Sequence, residues 1–182
     1  MAVVIDGTSG ISSPDYEVDG VTGQIYPIVR GTAQVAVTDF TTAANFTGIP
    51  SWVKRITVMF SGISLSGTDS ILVQIGDSGG ISATGYVGGG TRTGSTSVAG
   101  ANFTTGFGFN NATAAATYSG GLTINLVSGT TWAAFGVISG SATEQAAMSA
   151  GNKTLTGVLD RVSVTRTGTN TFDAGTINIL YE

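Results

Sequence analysis

The chain has no histidine and no cysteine among its 182 residues. The first absence removes the usual proton acceptor for a serine or threonine nucleophile. The second removes thiol nucleophiles, disulfides and thiolate metal sites. Zinc and copper lose both of their favoured ligands, and no cofactor is expected. Charge is scarce as well: Asp, Glu, Lys and Arg make up 10% of the chain, against roughly 25% in ordinary soluble domains. The net charge of −4 provides no basic footprint, so no nucleic-acid partner is expected. No apolar run reaches the ~18 residues that a membrane span requires. The opening MAVVIDGTSG has no basic region and meets Asp6 after four apolar residues, which is not a secretory signal.

What fills the space is glycine, 28 residues of it, with abundant threonine, serine and asparagine. A surface of hydroxyls and amides is solvated without a strong field. The apolar residues recur with period two. RITVMF (55–60), ILVQIG (71–76), LTINLV (122–127), WAAFGVI (132–138), LDRVSVTRT (159–167) and TINILYE (176–182) alternate apolar with polar side chains and are separated by turn residues. Eight to ten such strands, spaced as sandwiches and barrels space them, predict an all-β fold, with an antiparallel β-sandwich expected, in a length that suits one domain. SATEQAAMSAGNK (141–153) is the one stretch with helical composition, and the glycine-rich segment 79–105 reads as a long loop. The first thirty residues break short apolar clusters with Gly, Pro and Asp. They read as an extended N-terminal arm, 1–30, ahead of a sandwich domain, 31–182. Val3, Val4, Ile5, Ile11, Tyr16 and Ile25 are the arm positions expected to bury against a partner.

The stretch IGDSGGI (75–81) spells the surroundings of a protease serine. Without histidine Ser78 has no base, so the reading is a turn in which Asp77 and Ser78 bond backbone amides and the glycines supply positive φ. DYEVDG (15–20) spaces Asp15, Glu17 and Asp19 two apart, but Tyr26 stands where a calcium loop needs its last glutamate. In a strand those carboxylates share one face and form an acidic ridge. Phe107 and Phe109 of FTTGFGFNN share a face expected to be interior or a subunit interface. Asp160 with Arg161, and Lys54 with Arg55, begin strands, as edge charges or ion pairs do. GGGTRTG (88–94) lacks the strand–loop–helix context of a phosphate cradle. Tyr86, Arg92 and Trp132 are the candidate ligand contacts, with Trp132 favoured as core. Asp77 and Asp160 are the carboxylates a glycan hydrolase would have to use.

Four stretches carry a resemblance: FTGIPSWVKRITVMFSGISLSGT (46–68), ILVQIGDSGGISATGYVG (71–88), LDRVSVT (159–165) and FDAGTINILYE (172–182). Together they resemble a β-rich module of tailed-bacteriophage virion proteins of the tail-fibre or head-decoration type, across most of positions 22–182. The opening VVIDGTSGIS is similar to the N-terminal pieces by which such proteins attach to a particle. The resemblance implies a non-enzymatic structural or adhesive protein with a β-sandwich or jelly-roll-like fold. It also implies a homotrimer, other virion proteins as partners, and a place in the virion after synthesis in the bacterial cytoplasm. The short arm favours a head decoration, head fibre or fibre tip over a fibre shaft. The alternative is a carbohydrate-binding module that contacts a host surface glycan.

Overall fold

The computed structural model describes residues 27–94, 97–110, 113, 114, 116–141 and 145–182, and the backbone of four short strands before residue 27. Those four pair only among themselves: β1 (Val4–Asp6) with β2 (Gly10–Ser12), and β3 (Tyr16–Val18) with β4 (Val21–Gly23). Then come β5 (Val29–Arg30), β6 (Gln34–Val35), β7 (Ala44–Thr47), β8 (Arg55–Leu65), β9 (Ile71–Asp77), β10 (Gly80–Ile81) and β11 (Val87–Thr93). The chain continues through β12 (Val98–Phe103), β13 (Phe107–Phe109), β14 (Tyr118–Ser128), β15 (Thr131–Gly140), β16 (Gln145–Thr154), β17 (Arg161–Arg166) and β18 (Phe172–Tyr181). Among the described residues there is no helix.

Two antiparallel sheets result. The larger has nine strands in the order β12-β11-β16-β15-β14-β8-β18-β5, with β6 also on β18; the smaller has five, β10-β9-β17-β7 with β13 beside β9. From β8 onward the chain crosses between the two sheets repeatedly. Alternation sets the inner faces: Ile56, Val58 and Phe60 of β8, Leu122 and Ile124 of β14, and Ile177 and Ile179 of β18 face Ile71, Val73 and Ile75 of β9, Val162 and Val164 of β17, and Phe109 of β13. Phe60 and Phe109 meet edge to face at 5.9 Å and bridge the two sheets. The expected all-β sandwich is the fold found, and Phe107 and Phe109 are interior, as their spacing predicts.

Two segments depart from the sequence reading. Gln145–Thr154, which takes up most of the stretch of helical composition, is strand β16, held by ladders to β15 and β11. Its small residues alternate, with Ala147 and Ser149 inward and Met148 and Ala150 outward, so tertiary pairing overrides alanine's helix preference. The expected loop 79–105 contains the β11–β12 hairpin, registered from Gly88–Phe103 to Thr93–Val98. Val29 and Arg30 pair with Tyr181 and Leu180 at the edge of the larger sheet. Val3, Asp15, Asp19 and Ile25 lie outside the described residues, as do the side chains of Val4, Ile5, Ile11, Tyr16 and Glu17.

Candidate functional site

The GDSGG stretch forms the connection between β9 and β10. Asp77 ends β9, Gly80 pairs back on it, and Gly80 takes φ +123°. Asp77 Oδ1 accepts the Gly79 N–H at 2.9 Å, the expected Asx turn. Its other oxygen accepts the Thr156 hydroxyl at 2.8 Å and the Gly157 N–H at 2.7 Å. The turn is thereby stapled to the segment that leads into β17. Ser78 points into solvent at the tip.

Beside this staple, Arg161 donates a fork of two hydrogen bonds to Asp160, from Nε at 2.6 Å and Nη2 at 3.0 Å. Asp77 and Asp160 are thus brought within electrostatic reach of one another. The Thr156 hydroxyl, followed by the Gly79 and Gly157 amides, holds the Asp77 carboxyl below its ordinary range. The Arg161 fork does the same for Asp160, against partial burial and the Asp77 charge. A glycosidase pair needs one carboxyl held protonated by its surroundings. Here both are held ionised, so this pair contains no proton donor. Lys54 and Arg55 serve the chain end: their backbone amides donate to the Glu182 carbonyl at 2.8 Å each, and the Arg55 guanidinium pairs with the Glu182 carboxylate.

Of the three candidate ligand contacts, Trp132 is core, as favoured, and Tyr86 is core as well. Tyr86 is 2% exposed and Trp132 3%, which leaves neither ring face open to a sugar. The Tyr86 hydroxyl accepts the Ile75 N–H at 2.8 Å and donates to the Ser82 carbonyl at 3.0 Å, taking the place of a neighbouring strand beside β9. Its ring meets Phe107 edge to face at 5.0 Å, and Lys153 Nζ lies 5.5 Å from its centroid. Burial raises its phenol to about 12. Trp132 packs inward from β15 with Ala134 and Ile138. Arg92 is half-buried on β11, level with Ala99 and Ala147, and is not joined to the other two in one site.

The feature that sequence reasoning missed is the outer face of the nine-stranded sheet. Phe135 is 60% exposed, Val137 51% and Met148 44%. Val137 and Met148 are direct cross-strand partners, and Phe135 stands two residues along β15 on the same face. The strand registers extend this face into rows: Ala150, Phe135, Thr123, Thr57 and Leu180 in one, and Met148, Val137, Gly121, Met59 and Asn178 in the next. Neither of those five-residue rows contains a charge. At one corner Ile28, Arg55, Asn125, Phe135, Leu180 and Glu182 border a shallow depression of ≈300 Å³. The opposite outer face, on the five-stranded sheet, presents Asn45, Thr47, Gln74, Arg161 and Thr165. The outer face of the five-stranded sheet is therefore polar, and that of the nine-stranded sheet has an apolar centre at Phe135, Val137 and Met148. The parity of β15 carried the signal: once Trp132 is core, Phe135 and Val137 must face outward.

No protein-family model matches the chain, and no curated protein or solved structure matches it significantly. Among the described residues, no group of three or more Asp or Glu is placed to hold a metal, and no helix is long and apolar enough to cross a membrane.

Proposed function

We propose that the chain is a non-enzymatic structural protein of a phage particle, a head decoration, head fibre or fibre tip, whose N-terminal arm attaches it to other virion proteins. The observation that carries this reading is the contrast between the two outer faces. A broad apolar face on a rigid sandwich is built for assembly. Charged side chains off this face, Asp77 on Thr156 and Asp160 on Arg161, are engaged in internal contacts, and Arg55 at its corner is paired with Glu182. The resemblance of IPSWVKRITVM and QIGDSGG to virion proteins supports the same assignment. The arm supplies a second element of different character. Residues 27–182 hold all seven basic residues and seven of the eleven acidic ones, so the net charge of −4 resides in residues 1–26. Immunogold labelling of intact particles with antibody against the sandwich tests the proposal. Regular labelling at head or tail is expected, and unlabelled particles from a host that expresses the chain would contradict it.

A second reading, contact with a host surface glycan, has one observation in its favour. Phe135 is the one aromatic of the described residues that is more than half exposed, and it stands over a depression with Asn125, Arg55 and Glu182 at its border. An open ring beside amide and charged groups is how proteins hold sugars. Binding of the purified protein to host cells, lost in Phe135→Ala, is the result this reading requires.

A further inference from the structure

We infer that the outer face of the nine-stranded sheet, centred on Val137 and Met148, is the surface through which the chain associates with a second copy of itself. This deepens the assembly reading and rests on it, but its test needs no particle.

Size is the first argument. Seven neighbouring strands, β12 to β18 across the sheet, lie ~4.8 Å apart, and three outward rows short of the Arg55 corner lie ~6.8 Å apart, so this part of the face measures on the order of 700 Å². A standard interface takes ~800 Å² from each partner. At its centre Phe135, Val137 and Met148 are exposed side by side, and a contiguous apolar patch of this kind marks an interaction surface.

Charge is the second argument. The Val137 row and the rows beside it, from Ala150 to Leu180 and from Ala146 through Ser139 and Ser119, contain no ionisable side chain. A partner of ordinary composition, ~25% charged, would bury unpaired charges on this face at a cost. A second copy brings the same uncharged face. Residues 27–182 also sum to zero net charge, so two sandwiches approach without mutual repulsion.

Shape is the third. The central side chains are short or flexible, Val137, Met148, Met59, Ala150 and Thr123, and their exposed tips are methyl, thioether and hydroxyl groups. Such a surface packs against itself as two sheets pack in a sandwich, ~10 Å apart, with methionine filling the gaps. Self-association would cover Phe135, so this inference and the glycan reading make opposite claims about that ring.

The test is sedimentation velocity on the full chain at micromolar concentration, with Val137→Lys and, on the polar outer face, Thr47→Lys. The wild type and Thr47→Lys are expected to sediment as the same oligomer. Val137→Lys, which places an unpaired charge at the centre of the face, is expected to weaken association by at least ~10-fold. A monomeric wild type, or a Val137→Lys protein that is folded and keeps the wild-type mass, overturns the inference. Should Val137→Lys fail to fold, peroxide oxidation of Met59 and Met148 in the wild type decides instead. An oligomer that protects both methionines supports the inference. An oligomer that leaves them reactive, or a monomer that protects them because its own N-terminal segment covers the face, overturns it.

Discussion

The Thr156 hydroxyl donates to the Asp77 carboxylate at 2.8 Å across a separation of 79 residues, tying the β9–β10 turn to the entrance of β17. The bond explains why an aspartate stands in GDSGG, since the turn alone needs only one of its oxygens. It also makes stability pH-dependent. The folded-state pKa of Asp77 lies below its ordinary value of 3.8, so the contribution is complete above that value and is lost as pH falls through the folded pKa. In thermal melts, wild type is expected to lose stability steeply on acidification below about pH 4. Asp77→Asn should start from a lower midpoint at pH 7 and lose less over the same acid range.

Gly76 and Ser78 separate the structural letters of GDSGG from the decorative one. A Cβ on Gly76 would overlap the Gly80 carbonyl oxygen and lie 2.8 Å from Ile81 Cα, which is backbone that cannot yield. Gly76→Ala is expected to cost about 1–3 kcal/mol in chemical denaturation. Ser78→Ala, at the exposed tip, should stay within ~0.5 kcal/mol of wild type.

Tyr86 is expected to act as a stability element at high pH. Its phenol rises from 10.0 to about 12 on folding because burial disfavours the phenolate. A group raised in this way stabilises the fold fully below its unfolded value and loses that contribution as pH climbs through the interval to its folded value. Denaturation midpoints of wild type should therefore fall between about pH 10 and pH 12 by more than those of Tyr86→Phe. At pH 7 Tyr86→Phe leaves the buried Ile75 N–H unpaired and is expected to cost about 1–3 kcal/mol.

Much of the fold was legible in the sequence, because the strongest strands are short apolar runs bounded by turn residues, alternating with polar residues in RITVMF and LTINLV and nearly continuous in ILVQIG. RITVMF, ILVQIG and LTINLV fall within β8, β9 and β14. The β11–β12 hairpin was not legible, since Gly88, Gly89, Gly90 and Gly100 carry no side chain that alternation can read. Their strand state comes from the ladder to β16 and from close packing: a Cβ on Gly90 would sit 3.0 Å from the Phe103 ring. β16 was obscured by alanine, whose preference is local while its pairing is not. Of the candidate site, the turn role of Asp77 was legible and its bond to Thr156 was not, because nothing local links positions so far apart. Tyr86 and Trp132 drew attention as aromatics, whereas Phe135 was hidden in a run, WAAFGVI, whose parity only the placement of Trp132 resolves.

The central claim is that the N-terminal segment anchors the chain to a particle while the sandwich folds without it. The pairing of β1 with β2 and of β3 with β4, and of none of them with the two main sheets, is the structural basis for separating them. Particle association of the chain lacking residues 1–20, measured by co-sedimentation with purified particles, is the most direct test. The account predicts a β-rich circular dichroism spectrum and a cooperative melt with no particle-bound protein. A folded truncated chain that still co-sediments with particles at the wild-type level would contradict it.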